Sequence, residues 1–477
     1  MAAPGRPSTA PFALLALAAF AAAGCVAPLH PFKWTVPAVG QPMIESAYAV
    51  DRAMSPHRSF TRPAEPVDAR PLREQAREMA DDLRARFLAD DGKLFLYQRP
   101  PALGDMCIWQ GVYTAMASLQ YAWDRSPQSL EYAEKAFDGL AMMLRPGLPV
   151  ARGVLPAGLA RDGQDPFTYS SGGYQWKEDA SIDSASGWVF GMVLAERLLP
   201  SRRERARAAL QRFTDDLIAN GFRLKNGDGS PTRFGNMGAG LLSPPPGVLL
   251  SLAVLSQCAR RADTPRCAEL LRGFTRKRQD LWASYASAPI PGRHMSSNHN
   301  MAFLSLSAAL LSEDSPRRWR MYARGMIRLA ETTENRANSF WIYLTYWTLE
   351  QRPDLMNRLS GDRRLARWAT RRPALLSLAK KPMQEFEFPA CKAAYETLNS
   401  VRPDLEFVWN TFGHTKTVAQ PLPVWQRPAA DFIWQRNPYL LDDWQGHRTS
   451  PAREFTGLDF LLAYYLGLHL GGINPFE

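Results

Sequence analysis

Gly104-Asp105-Met106-Cys107-Ile108-Trp109-Gln110-Gly111 opens a run that meets no further charged residue until Asp124. The helical period over 107–123 is apolar almost all round, and such a helix is buried. Its first turn carries amides that need water, a cap or another partner. The same pattern recurs at Lys177-Glu178-Asp179 to Asp183, Gly187 and Trp188, and at Ser297-Asn298-His299-Asn300. It appears again at Asn338-Ser339-Phe340-Trp341-Ile342-Tyr343, and at Glu454 to Asp459 with Tyr464. A more charged helix follows the apolar one. Several buried helices that all start with polar groups imply a ring of inner helices around one shared cleft, an arrangement that suits a sugar polymer.

Working outward, helical periodicity covers 71–88, 128–144, 182–199, 202–219, 248–259, 267–284, 298–311, 316–332, 338–350, 389–398 and 455–470. Pro71 falls in a first helical turn, where a missing amide costs nothing. Strand-type alternation is scarce. The economical reading is all-α: one domain over 67–477 built of consecutive helical hairpins. Closed on itself, about six such hairpins make an (α/α)6 toroid. Residues 25–66 are Pro-rich and irregular, and read as a tether or a surface wrap.

Residues 12–24 form an apolar run too short to span a bilayer, with Arg6 ahead of it and small residues leading to Cys25. This is a signal-peptide pattern over 1–24. It resembles a bacterial lipoprotein signal, whose box ends here in Ala22-Ala23-Gly24-Cys25. The resemblance implies a lipid on Cys25, removal of residues 1–24 and a place in the cell envelope. Val26 is not an inner-membrane retention signal, so the outer membrane is the expected anchor. Of the five cysteines, Cys258 and Cys267 flank a helix–loop–helix joint where a disulfide would pin one hairpin, as an oxidising compartment permits. Two unpaired thiols on adjacent helices are the alternative. Cys107 lies in the first polar cluster, where a buried structural cysteine is the commoner case.

The order of motifs resembles the six-hairpin glycosidase-like proteins, a group of secreted bacterial chains. The matching pieces are Gly104-Asp105 with Ile108-Trp109-Gln110-Gly111 and Tyr121; Leu159-Ala160-Arg161-Asp162; Asp179, Asp183 and Gly187; and Asp228-Gly229-Ser230-Pro231-Thr232-Arg233-Phe234-Gly235. Further along come Ser297-Asn298-His299-Asn300, Asn338-Ser339-Phe340-Trp341, Arg436-Asn437-Pro438-Tyr439, and Glu454 with Asp459 and Tyr464. The resemblance spans roughly 100–470 and implies glycan processing at one mouth of the toroid. Fold by itself does not carry an activity.

Hydrolysis of a glycosidic bond needs two carboxyl groups, one to protonate the leaving oxygen and one to activate water or attack the sugar. The candidates are Asp105, Glu178, Asp179, Asp183, Glu454 and Asp459. Asp105 precedes Trp109 at a helix start, where an N-cap is the competing role. Asp179 and Asp183 are four apart and share a face if the helix reaches that far. Lys177 beside them reads either as a site cation or as a surface ion pair. Glu454 precedes the last apolar helix, where a first-turn acid also suits the helix dipole. Trp109, Gln110, Trp341 and Tyr464 are candidate sugar contacts, with core packing as the alternative for the rings. A second chemistry uses Asn298, His299, Arg336 and Tyr343, a set that resembles those of polysaccharide lyases. There, neutralising a uronate carboxylate acidifies the neighbouring C–H and a placed base removes its proton. A binding protein that keeps the scaffold without chemistry is the third reading.

No phosphate loop, dinucleotide fingerprint or metal-ligand spacing is present, so no cofactor and no metal are expected. The net charge of +11 favours acidic partners, including uronate polymers and the anionic envelope surface. Arg202-Arg203, Arg260-Arg261, Arg317-Arg318 and Arg371-Arg372 fall between helices and read as solvated surface. A nucleic-acid partner is not expected in an exported chain without a recognition module.

Overall fold

The computed structural model describes residues 70–144, 150–160, 167–239, 243–260, 264–284, 296–359, 361–386, 407–410, 415–418, 421–427, 431–439 and 454–476. The signal segment, Cys25, the 25–66 stretch, Cys391 and the expected helix at 389–398 lie outside these residues. The described chain is mostly helical, with 15 α-helices and short strands of two to six residues.

The helices are α1 Leu72–Arg86, α2 Met106–Asp124, α3 Pro127–Met142, α4 Ile182–Leu198, α5 Arg203–Ala219, α6 Pro245–Ala259 and α7 Pro265–Arg276. They continue as α8 Gln279–Ala283, α9 Ser296–Ser312, α10 Pro316–Thr333, α11 Ser339–Glu350, α12 Pro353–Arg358, α13 Arg363–Thr370, α14 Arg372–Met383 and α15 Leu458–His469. Two kinds alternate. In α2, α4, α6, α9, α11 and α15, burial runs round nearly the whole helix. In α3, α5 and α7, only one stripe is buried. The all-round apolar helices pack on one another: α2 on α4, α4 on α6, α6 on α9, α9 on α11, α11 on α15, and α15 back on α2. The striped helices cover them in chain order, α3 on α2, α5 on α4, α7 on α6 and α10 on α9, with α14 on α11 and α1 on α15.

The expected single helix over 267–284 is interrupted at Arg278, whose φ is 54°, giving α7 and α8. Cys258 and Cys267 form a disulfide that ties the end of α6 to the start of α7, with a Cα–Cα distance of 5.9 Å. The strands pair antiparallel: β1 Leu88–Ala89 with β2 Leu94–Phe95 close by in the chain, and β3 Gln98–Arg99 with the distant Glu454–Phe455. β4 Gly153–Pro156, β6 Tyr174–Lys177 and β5 Tyr169–Ser171 form a three-stranded sheet leading into α4. β7 Arg223–Lys225 and β8 Pro231–Asn236 form a hairpin before α6.

Among the described glycines, the tightest approach lies between α2 and α4. A Cβ on Gly111 would stand 1.9 Å from the Gly187 carbonyl oxygen, and one on Gly187 would stand 2.4 Å from that of Ile108. One on Gly191 would stand 2.6 Å from the Gly111 oxygen. Only glycine permits this backbone-to-backbone seam, and the seam brings the first turns of the two helices together.

Candidate functional site

Asp105 sits in the N-cap position of α2, yet its side chain makes no cap hydrogen bond. It faces Arg152 instead, with a guanidinium nitrogen 3.5 Å from Oδ1. Arg152 is fixed from several sides. Its amide donates to the Lys177 carbonyl at 2.8 Å and its carbonyl accepts from Cys107 at 2.9 Å. Its Nε donates to the Gly104 carbonyl. One arginine thus joins the β4–β6 sheet to the head of α2. On α4, Ser181 supplies the cap through a reciprocal pair with Ser184, which leaves the Asp183 side chain free of capping duty and exposed.

The electrostatics tie these groups together. Burial among the surrounding protein, reinforced by the charge of Asp431 and to a lesser degree of Asp183, pushes the Asp105 carboxyl up to about 6 against the pull of Arg152. Asp183 is also held above the usual carboxylate range by the protein crowded about it, with Arg152 opposing, although its own surface is exposed. The Asp105 side chain nevertheless keeps 44% of its surface open to water. That solvent access tempers the shift.

Asp431 belongs to no helix and was not singled out in the sequence. Its Oδ2 accepts from the Trp109 indole at 2.9 Å, and its Oδ1 accepts from Gln435 at 2.9 Å. It repeats the Asp105–Trp109 signature, an acid just ahead of Phe432 and Trp434, but in an irregular stretch with no helical period to mark it. Arg152 was missed for the same reason, since a lone arginine before a short strand has no pattern.

The other candidates divide. Asp459 is buried. It accepts from the Ile433 amide at 3.1 Å, and its carbonyl accepts from the Trp434 indole at 2.8 Å, so it holds the turn that follows Asp431. Asn338 caps α11 and donates to the Trp434 carbonyl at 2.8 Å. The heads of α2, α11 and α15 are therefore joined through the 431–436 segment. Asp179 is a backbone tie and does not face Asp105. With φ 58°, its amide donates to Asn226 at 2.9 Å and its carboxylate accepts from the Arg233 amide at 2.9 Å. Lys177 lies half-buried in β6. The Glu454 carboxylate is engaged by Arg86, and its backbone pairs with β3 Gln98–Arg99.

The expected sugar contacts are packed rather than presented. Trp109 is 1% exposed under the ring of Phe432, 5.0 Å away. Gln110 is fully buried, accepting from the Phe95 amide and donating to the carbonyls of Lys93 and Ala136. Trp341 stacks on Phe303 at 5.1 Å and donates to Asn300 at 3.1 Å. Tyr464 is buried beside Phe460. In each case the apolar area of the side chain is better satisfied inside the core.

Of the elimination set, His299 and Arg336 meet: a guanidinium nitrogen lies 3.0 Å from Nδ1, so the proton of a neutral ring sits on Nε2. Both are buried, whereas Asn298 is exposed on the first turn of α9. Tyr343 does not join them. It packs against Gly467 and Gly472 between α11 and the end of α15, and its hydroxyl has no hydrogen-bond partner. Cys107 is buried with its thiol pushed far up by that burial, so it is no thiolate nucleophile.

Among the described residues, no group of three or more His, Cys, Asp or Glu is placed to hold a metal ion, and no helix is long and apolar enough to cross a membrane. In comparison with known proteins, no family model and no curated relative matches the chain.

Proposed function

We propose that this chain is a lipid-anchored envelope protein that hydrolyses glycosidic bonds, with Asp105 as the proton donor and Asp183 as the opposing carboxylate. The fold under this reading is an (α/α)6 toroid of six hairpins. The sequence of inner-helix contacts, which runs from α2 through α4, α6, α9, α11 and α15 back to α2, supports that architecture.

The observation that carries the function is Asp105 facing Arg152 at 3.5 Å with its side chain open to water, with Asp183 near enough to act on Asp105 and to feel Arg152 electrostatically. An acid catalyst must hold its proton near neutral pH, and its partner must lose one. Asp105 feels two other carboxylates, which favour its protonated form, whereas Asp183 answers chiefly to burial and to Arg152. Asp105 then protonates the leaving oxygen, and ionised Asp183 activates water or attacks the sugar. Arginines and a net charge of +11 favour an acidic polysaccharide or oligosaccharide. The anchor is the lipid expected on Cys25.

The elimination reading draws on Asn298, His299, Arg336 and Tyr343. The separate burial of Tyr343 weighs against it, and no observation favours a purely binding role over hydrolysis. The test is incubation with neutral and uronate polysaccharides, following new reducing ends and the ultraviolet absorbance of unsaturated products together. Hydrolysis gives reducing ends without absorbance, elimination gives both, and a receptor gives neither.

A further inference from the structure

The outer helices α10 and α13 meet through two buried acids. Asp362, whose side chain is 0% exposed, takes Arg320 and Arg324 of α10 on a single oxygen: each donates Nε to Oδ2, at 2.6 and 2.7 Å. Glu331, 5% exposed, takes two arginines of α13, Arg367 at 2.6 Å and Arg364 at 3.3 Å. Each carboxylate draws two guanidinium groups over itself and is covered by them, while Arg320, Arg324 and Arg367 keep 43, 46 and 60% of their side-chain surface open. Arg363 is exposed beside them. Two cations over each anion leave the outward layer positive. The terminal nitrogens of Arg320 and Arg324 make no hydrogen bond among the described residues. A guanidinium held only through Nε still offers the rest of its fork to an oxyanion. The exposed residues next to these arginines on α13, Ala366, Ala369 and Thr370, are short, so the guanidinium groups stand over a low surface.

We propose that the arginine face of α10 and α13 docks the protein on an anionic phospholipid membrane, with headgroup phosphates on the open N–H groups of Arg320, Arg324, Arg363 and Arg367. Charge complementarity selects the anionic headgroup, and the low relief selects an extended surface over a small ion. Buried counter-acids hold the guanidinium groups in place, so little side-chain freedom is left to lose on docking. The lipid expected on Cys25 brings a membrane within reach but does not orient the fold, because the stretch from Cys25 to Arg70 would span well over ~100 Å if extended. The arginine face supplies that orientation. It needs neither the hydrolase reading nor any particular glycan.

The experiment is co-sedimentation of the full chain with vesicles of phosphatidylcholine, alone or with added phosphatidylglycerol. Neutral vesicles read whatever a lipid on Cys25 contributes, and the difference between the two reads the arginine face. Phosphatidylglycerol should raise partitioning, and high salt should remove the gain. Arg324→Gln, Arg363→Gln and Arg367→Gln combined leave Arg320 on Asp362 and Arg364 on Glu331, so neither buried acid is stranded. Each basic residue at such a surface contributes about fivefold, so this variant should lose on the order of 100-fold of the phosphatidylglycerol-dependent gain. Arg205→Gln, Arg223→Gln and Arg233→Gln combined remove the same charge from α5, β7 and β8, and should lose less than about fivefold. Equal losses in the two variants, or no phosphatidylglycerol gain in the parent, overturn the proposal. If the α10–α13 variant does not fold, Arg363→Glu decides, with an expected loss on the order of 25-fold; an unchanged gain there overturns it. Binding of soluble polygalacturonate that the α10–α13 variant abolishes, without any phosphatidylglycerol gain in the parent, makes the face a site for acidic polymer and overturns the membrane assignment. Glycan cleavage is not read, so failure of the hydrolase reading leaves every outcome intact.

Discussion

Gly187→Ala is the sharpest test of how the fold sets the site. The added methyl would stand 2.4 Å from the Ile108 oxygen, 2.5 Å from its Cα and 2.8 Å from its carbonyl carbon. All three are backbone atoms, so no side chain can swing aside, and α2 and α4 must separate. Alanine gains about 1 kcal/mol over glycine from helix propensity, whereas overpacking a filled interior costs about 1–3 kcal/mol and sometimes more. The backbone contact places this substitution at the upper end, for a net loss of about 2 kcal/mol. In a chain of this size that lowers the melting temperature by on the order of 2 °C. Gly273→Ala is the matched control. Gly273 also lies inside a helix, α7, but a Cβ there meets nothing within 4 Å. It should stabilise by about 0.5–1 kcal/mol. Thermal unfolding followed by far-ultraviolet circular dichroism reads both. If Gly187→Ala melts with Gly273→Ala at or above the parent, the seam does not set the helix spacing, and the meeting of Asp105 and Asp183 needs another cause.

The remaining predictions concern charge, cross-link and anchor. The proton on Asp105 is held up to about 6 in the folded chain against 3.8 for the free side chain. The unfolded chain binds fewer protons through that window, so the contribution of Asp105 to stability falls as pH rises from 3.8 to about 6 and stays low above it. Asp105→Asn should therefore raise the melting temperature more at pH 7.5 than at pH 4 (two conditions chosen to bracket the window), which paired thermal melts would show. The disulfide closes a sequence separation of 9, so Cys258→Ser should cost about 2–3 kcal/mol by loop entropy, read as a lower denaturant midpoint. Cys25→Ser should leave an unprocessed precursor or a soluble protein, because a lipidated terminus holds a membrane firmly; membrane fractionation and intact mass check it.

The sequence made the inner helices legible because an uninterrupted apolar run has one reading. The stretch 107–123 became α2, Met106–Asp124, and 182–199 became α4, Ile182–Leu198, each within two residues. It did not reveal α12, α13 and α14. The first two are short, α13 opens on Arg363-Arg364 and buries only Leu365 and Trp368, and α14 opens on Arg372. The pairs Arg363-Arg364 and Arg371-Arg372 look like linkers when no partner is in view. Asp183 was readable as an acid four residues from Asp179, and Asp105 was readable with its capping alternative, which needed geometry to set aside. Trp109, Gln110, Trp341 and Tyr464 were drawn into the site because polar and aromatic residues at a helix head look alike whether they face solvent or core. Arg152 and Asp431 come from a strand edge and an irregular loop, where nothing local signals a partner many residues away. Tyr343 shows the complementary limit, since its spacing from Arg336 says nothing about which neighbouring helix its ring meets.

The central claim is that Asp105 supplies the proton to a leaving sugar oxygen. The direct measurement compares parent and Asp105→Asn on a cleaved polysaccharide and on an aryl glycoside of the same sugar with an acidic phenol leaving group. A good leaving group needs no proton, and general acid catalysis typically contributes roughly 10²- to 10⁴-fold. Asp105→Asn should therefore lose turnover of the polymer by that order and keep most of its turnover of the aryl glycoside. Equal losses on both substrates, or no loss on the polymer, would contradict the role assigned to Asp105.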